Sequence, residues 1–360
     1  MNTDTPIDHS SYYKDIRVFE YKTVVHIVLD RPNALNALSF DMVCSLKSVL
    51  RHYREAESIK ILVFSGSGDK AFCSGGDVKA VYHLHRTGDF RSHSQALDFF
   101  KEEYELDLMI QTFEKPVVAF IDGICMGGGY GIAAPCKYRV LTPQTVFAMP
   151  EVKIGFFIDV GSAYFLSRFP YYSGYYAALT GCSFSNARDL LWIGVGTHYT
   201  ATFEAQDFVE SLNKHIALTH SVDSFFDKRM TEAPAENSQN KGPLLQNKSE
   251  IADIFSSHTL EKIFERLRLS DSEWAIDALN HIDQACSQSV YLNFIHLHYS
   301  KNRSYKDVIA KDHTLARYTY ESGTFAEGVR SRLVDKTHDP EWLHKSLRQK
   351  DKANMDAIFT

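Results

Sequence analysis

From Ile16 to Asp30 the chain reads IRVFEYKTVVHIVLD, β-branched and alternating between apolar and polar positions. This pattern predicts two strands that turn near Tyr21 to Thr23. Arg31-Pro32 ends the second strand, because proline cannot continue a ladder. Ser39 then caps a helix with Met42, Leu46, Val49 and Leu50 on one face. Lys60 to Ser65 and Pro116 to Asp122 are short apolar runs, each the signature of a buried strand, and each leads into a glycine-rich stretch. Asp98 to Phe113 has helical period. Tyr138 to Leu141 and Val146 to Met149 are two further short strands. Strands alternating with helices at this spacing predict an α/β fold.

The pattern changes after about residue 220. Thr231 to Ser249, TEAPAENSQNKGPLLQNKS, is polar and rich in Pro, Gly and Asn, and reads as a surface loop or linker. Beyond it helical periods cover His258 to Leu269, Ser272 to Ile282, Val290 to His298 and Asp307 to Tyr318. The expected division is an α/β core over 1–220 and a helical region over 221–360.

The 360 residues are 44% apolar and 23% charged, which excludes a disordered chain. Net charge is −6, so no global positive field draws the chain to nucleic acid or to an anionic membrane. No apolar run is long enough to span a bilayer. The N-terminal stretch lacks the pattern of a secretory signal or a mitochondrial presequence. The six cysteines form no Cys-x-x-Cys pair and sit mostly in apolar contexts, which fits free thiols in a reducing cytoplasm. No metal site is expected. His83/His85 and His296/His298 are His-x-His pairs, which do not share a helix face and read as solvated.

Several chemistries are excluded by absent motifs: the nucleophile elbow GxSxG, the phosphate loop GxxxxGK[ST] and the zinc motif HExxH. Three runs remain. In Lys70 to Lys79, KAFCSGGDVK, small residues at 74–76 let backbone amides approach a ligand; an ordinary turn into a helix is the plain alternative. In Ile121 to Ala134, IDGICMGGGYGIAA, three glycines open a helix whose free N–H groups suit a carbonyl oxygen gaining charge; close helix packing would also want glycine. In Ala148 to Gly161, AMPEVKIGFFIDVG, Glu151 and Asp159 stand in an apolar setting, where a carboxylate is seldom buried without a task. Together these runs supply two amide donors and an acid–base carboxylate, the set needed to polarise a thioester carbonyl.

Four ordered segments resemble the crotonase (enoyl-CoA hydratase/isomerase) superfamily: LDRPNALNAL at 29–38, AFCSGGD at 71–77, KPVVAFIDGICMGGGYG at 115–131 and FAMPEVKIG at 147–155. The resemblance implies a ClpP/crotonase-like ββα spiral core carrying a C-terminal helical region. It implies oxyanion donors at the amides of Ser74 and Gly128. It places coenzyme A along Asn33, Ala34 and Leu35 and along Ser74, Gly76, Asp77 and Val78. No cofactor is implied beyond the coenzyme A of the substrate.

Hydratases of the superfamily use two glutamates, and the first of those positions is Gly131 here. The chain is instead similar to the 3-hydroxyisobutyryl-CoA hydrolase branch, through Glu102-Glu103-Tyr104, FIDVG at 157–161, ALTG at 178–181, and FAEGVRSRLVDK at 325–336 followed by DPEW. Ile158 replaces the usual proline there, which is expected to loosen the Asp159 loop. That resemblance implies hydrolysis of a β-hydroxyacyl-CoA in valine breakdown. Glu151 would act as nucleophile or base, and Asp159 and Glu103 would bind the 3-hydroxyl. Lys336 would face the coenzyme's phosphates, a solvated lysine being the alternative. An enoyl-CoA hydratase or isomerase and a non-enzymatic crotonase-fold binding protein are the rival readings. Relatives are often oligomers, so a homo-oligomer is possible.

Overall fold

The computed structural model describes residues 5–201, 204–229, 242–343 and 347–359. Its strands are β1 (Ile7–Asp8), β2 (Ile16–Glu20), β3 (Val24–Leu29), β4 (Ile61–Gly66), β5 (Ala71–Cys73), β6 (Val117–Ile121), β7 (Ile124–Met126), β8 (Tyr138–Leu141), β9 (Val146–Ala148), β10 (Ser183–Phe184) and β11 (His198–Tyr199).

The chain divides into two compact units. One comprises 1–76, 105–147 and 184–242, and the other 77–104, 148–183 and 243–360. The single cut expected near residue 220 is therefore not the division the packing makes. Residues 77–104 and 148–183 group with the C-terminal helices, because the polypeptide leaves the strand-bearing unit after Gly76 and again after Phe147.

The first unit is built on a seven-stranded sheet ordered β1-β2-β3-β4-β6-β8-β11. β1, β2 and β3 pair antiparallel, and β3, β4, β6, β8 and β11 pair in parallel. The predicted hairpin is present: Tyr21 N–H donates to Val24 O at 2.8 Å, closing the turn. β3 is buried at every position, as a central strand with both faces covered must be. One face of the sheet packs Val24, Ile61, Val63, Val118, Phe120 and Val140 against Phe208, Val209, Leu212 and Ile216 of the helix Ala205–Thr219. In the smaller sheet β5 pairs in parallel with β7, Ala71 with Ile124 and Cys73 with Cys125. That pairing brings the ends of the two glycine-rich runs to one place.

The helix expected after Ser39 spans Phe40–Arg54, and the Ser39 side chain accepts from Met42 N–H at 3.0 Å. The second unit is helical, and all four predicted tail helices are present, over Leu260–Leu269, Glu273–Gln284, Ser287–Ser300 and Tyr305–Glu321. The loop read over 231–249 is only partly so. Residues 231–241 lie outside the described residues, and a helix runs over Pro243–Phe255. Pro243 opens that helix, where its missing N–H costs nothing, and Leu244, Ile251, Ile254 and Phe255 bury its apolar side. Among the described residues no helix is long and apolar enough to cross a membrane. All six cysteines are free thiols, five of them buried.

Candidate active site

In the first unit the two glycine runs meet. A Cβ on Gly75, which sits at φ +113°, would lie 3.2 Å from Met126 O and 3.5 Å from Gly128 N. Gly128 is the first residue of the helix Gly128–Ala133, so its amide lies in the first turn, where no intrahelical acceptor exists. The Gly128 amide is thus open to an acceptor outside the helix.

The Ser74 amide is not open in this way. Its N–H donates to Leu35 O at 3.0 Å, and its hydroxyl reaches Ala34 O at 3.4 Å. Those bonds fasten the Ser74 strand end to the 3₁₀ turn Pro32–Ala34 that carries Asn33. Leu38 bridges Gly76 in parallel fashion, its own N–H donating to Gly75 O at 2.8 Å. In a parallel bridge the bonds of Leu38 go to the residues flanking Gly76, so the Gly76 N–H points away from that ladder. Among the described residues it forms no backbone hydrogen bond. Gly76, not Ser74, is the amide left to pair with that of Gly128.

The segment Asn33–Leu35 is held from beneath by a residue the sequence reading passed over. Asn36 is fully buried at a left-handed φ of 54°. Its Nδ2 donates to Ser67 O (2.9 Å) and Ala71 O (2.8 Å), and its Oδ1 accepts from Arg31 N–H (3.0 Å). Asp77 is spent differently from expectation: its carboxylate caps the helix Val78–Thr87 by accepting from Ala80 N–H at 3.2 Å. Val78 opens that helix and is half-buried. Lys336 is exposed, at φ 56°, after the π-helical turn Arg330–Val334, and forms no ion pair among the described residues.

The second unit gathers three carboxylates. Glu103 lies on the helix Phe90–Gln111, Glu151 opens the 3₁₀ turn Glu151–Ile154 after β9, and Asp159 lies in the following loop. All three are buried, with 2%, 5% and 6% exposure. One oxygen each of Glu103 (Oε1) and Glu151 (Oε2) has no partner. Burial raises the Glu103 carboxyl well above its ordinary value, and the charges of Asp159 and Glu151 add to that. Burial and the Asp159 charge do the same to Glu151. Asp159 is pushed up to about 8, by burial first and the Asp312 charge second, although Tyr104 Oη–H donates to its Oδ2 at 2.8 Å and works the other way. The Asp159 charge thus bears on both glutamates, and all three carboxylates are buried.

A stability consequence follows from the sign of the Asp159 shift. A carboxyl raised on folding contributes stability that is fully present below its ordinary value of 3.8 and is lost as pH rises through about 8. The melting temperature of the wild type should therefore fall between pH 6 and pH 9, and that of Asp159→Asn should fall less steeply. Parallel melting curves for the two proteins across that range would refute the burial of this carboxylate.

The loop that carries Asp159 is not loosened by Ile158, as had been expected from the lost proline. The Ile158 N–H, which proline would lack, donates to Asn293 Oδ1 at 2.8 Å. Gly161 N–H donates to Asp312 Oδ2 at 2.7 Å, and Asp312 Oδ1 meets His296 Nε2 at 2.7 Å. His296 is therefore not the solvated histidine expected, for it is fully buried, whereas His298 is exposed, with Nδ1 on Phe294 O at 2.9 Å. Sequence reading missed Tyr104, Asn293, His296 and Asp312 as supports of the loop. A signal existed: Ser289, Asn293, His296 and Ser300 recur at helical spacing within an apolar helix, and all four are fully buried.

The family model described as Enoyl-CoA hydratase/isomerase matches residues 24–359. A mitochondrial 3-hydroxyisobutyryl-CoA hydrolase of Gallus gallus is 35% identical, over 92% of this chain and 85% of its own. A protein of the same name from Dictyostelium discoideum is 34% identical, over 95% and 91%. Among solved structures, a carnitinyl-CoA dehydratase from Mycobacterium thermoresistibile superposes with a TM-score of 0.84 at 30% identity, covering 96% of each chain. An enoyl-CoA hydratase from Rhodobacter sphaeroides 2.4.1 also gives 0.84, at 25% identity, covering 95% of this chain and 97% of its own. The chain has the crotonase fold and belongs to the enoyl-CoA hydratase/isomerase family, with relatives among its 3-hydroxyisobutyryl-CoA hydrolases.

Proposed function

We propose that this chain hydrolyses a β-hydroxyacyl-CoA thioester, turning 3-hydroxyisobutyryl-CoA into 3-hydroxyisobutyrate and coenzyme A. The observation that carries the reading is the burial of Glu103, Glu151 and Asp159, combined with glycine at position 131, where a hydratase has the first of its two glutamates. The relatives that bear the hydrolase name support the same activity. The amides of Gly76 and Gly128 supply the oxyanion donors. Such donors act on charge that exists only as the tetrahedral state forms, and each is worth about 2.7–4 kcal/mol of barrier. Glu151 supplies the attack, either through its own oxygen, forming a mixed anhydride as the C–S bond breaks and coenzyme A leaves as thiolate, with water then cleaving the anhydride, or through a water that it deprotonates and whose oxygen displaces the thiolate directly. Asp159 and Glu103 bind the acyl 3-hydroxyl, and a pocket built for a hydroxyl rejects acyl groups that lack one, because its buried polar atoms are then left unpaired. Coenzyme A runs along Asn33, Ala34, Leu35 and Val78, with Lys336 toward its phosphates. The reaction belongs to valine catabolism, and the free thiols fit a reducing, cytoplasmic setting.

The test is thiol release from 3-hydroxyisobutyryl-CoA, 3-hydroxypropionyl-CoA and isobutyryl-CoA at equal concentration. Fast release from the two hydroxylated substrates is expected, with isobutyryl-CoA slower by about a hundredfold or more. No release from any of them would defeat the hydrolase reading and turn attention to hydration of crotonyl-CoA.

A further inference from the structure

We propose that Asp312 is a positioning residue for Asp159, through which the C-terminal helices set the preference for a 3-hydroxylated acyl group. The proposal rests on Asp159 being the hydroxyl-binding carboxylate.

Asp159 lies between two main-chain clamps. Ile158 N–H is held by Asn293 Oδ1 (2.8 Å) and Gly161 N–H by Asp312 Oδ2 (2.7 Å). Between the clamps Val160 adopts φ 54°. A β-branched residue in the left-handed region is costly and persists only where its surroundings over-determine it. The clamping groups are themselves fixed. Asn293 Nδ2 donates to Ala178 O at 2.8 Å, and Asp312 Oδ1 meets His296 Nε2 at 2.7 Å. All three side chains are fully buried. The His296 ring lies 5.9 Å from that of Phe157 and 5.8 Å from that of Phe359, which keeps water from the pair.

Packing alone does not account for this arrangement. An apolar pair in place of Asp312 and His296 together would fill the same space without the desolvation cost of a carboxylate, and replacing a whole buried pair in this way is often neutral or stabilising. What an apolar residue cannot do is accept the Gly161 N–H. Position 161 is bound to glycine, since a Cβ there would come within 2.4–2.6 Å of the Tyr305 ring at a φ of +67°. The glycine lets the amide reach Asp312, and the amide fixes where Asp159 leaves the main chain.

The test uses kcat/KM for 3-hydroxyisobutyryl-CoA divided by that for isobutyryl-CoA. The wild type, Asp312→Leu, Asp312→Asn, Asp159→Asn and the Asp159→Asn/Asp312→Leu double variant are compared. Asp312→Leu should lower the ratio by about tenfold or more. Asp312→Asn, whose amide oxygen still accepts from Gly161, should stay within about threefold of the wild type. The double variant should match Asp159→Asn alone, because both changes remove one function. Should the leucine protein not fold, Asp312→Ala is read in its place, with the same expectation for the ratio. Equal loss on both substrates, or losses that multiply in the double variant, would overturn the proposal while leaving the hydroxyl-binding role of Asp159 standing. A wild type without preference for the hydroxylated substrate would overturn that role and the proposal with it.

Discussion

Replacing Glu151 by glutamine should lower kcat on 3-hydroxyisobutyryl-CoA by roughly a thousandfold or more, the range seen when a positioned acid–base group is removed. The expectation is sharp because glutamine changes so little else. The turn that presents Glu151 is closed by main-chain atoms: Glu151 O accepts from Gly155 N–H and from Phe156 N–H, the latter at 3.0 Å. Neither bond involves the side chain. Oε2, the oxygen that chemistry requires, holds nothing in place, for it has no partner. Burial and the neighbouring Asp159 already disfavour the charged form. A neutral amide should therefore leave the melting temperature unchanged only at or below the ordinary glutamate value of 4.5, and raise it relative to the wild type as pH climbs above that value. Affinity for free coenzyme A, read by calorimetry, should be retained. More than about a tenth of wild-type turnover in Glu151→Gln would remove Glu151 from the reaction. A parallel loss of stability and of coenzyme A affinity would show a structural role instead.

The parts of this molecule that could be read from its sequence are those fixed by local chemistry. The hairpin of β2 and β3, the Ser39 cap and the buried strands leading into glycine follow from period and turn chemistry within some fifteen residues. The glycine runs were legible for the same reason, since a close approach of main chain to main chain leaves few other residue types. What could not be read was which amide in the first run stays free. That depends on Leu35, whose carbonyl takes the Ser74 N–H from a position 39 residues away in the chain. Sequence order gives no hint of such a bond. The same holds for the Asp159 loop: Asn293 and Asp312 reach it across 135 and 151 residues. The helix Pro243–Phe255 was hidden by composition, because its exposed face carries the Pro, Gln and Asn that also mark loops. The motifs thus disclosed the carboxylates, and the fold disclosed what aims them.

Gly129→Ala should lower kcat by roughly a hundredfold while making the protein only moderately less stable. Gly129 follows the Gly128 donor in the helix Gly128–Ala133, and a Cβ there would sit 2.2 Å from Cys73 O and 2.9 Å from Cys73 C. Both atoms are main chain, so neither can swing aside. Cys73 closes β5, whose pairing with β7 at Cys125 fixes it against the strand that leads into the same helix. The helix start must therefore move off the β5 end, and the Gly128 amide moves with it, away from Gly75 and Gly76. Overpacking of this kind costs about 1–3 kcal/mol of stability. The loss of one aligned donor costs about as much again in the barrier alone. Gly88→Ala separates the two effects. Gly88 also has a demanding backbone, at φ +72°, but a Cβ there meets nothing within 4 Å. That variant should lose stability through backbone strain and keep its kcat, so a fall in turnover confined to Gly129→Ala reports the donor geometry. If the two variants instead lose turnover in proportion to their loss of stability, the amides of the glycine runs do not hold the oxyanion.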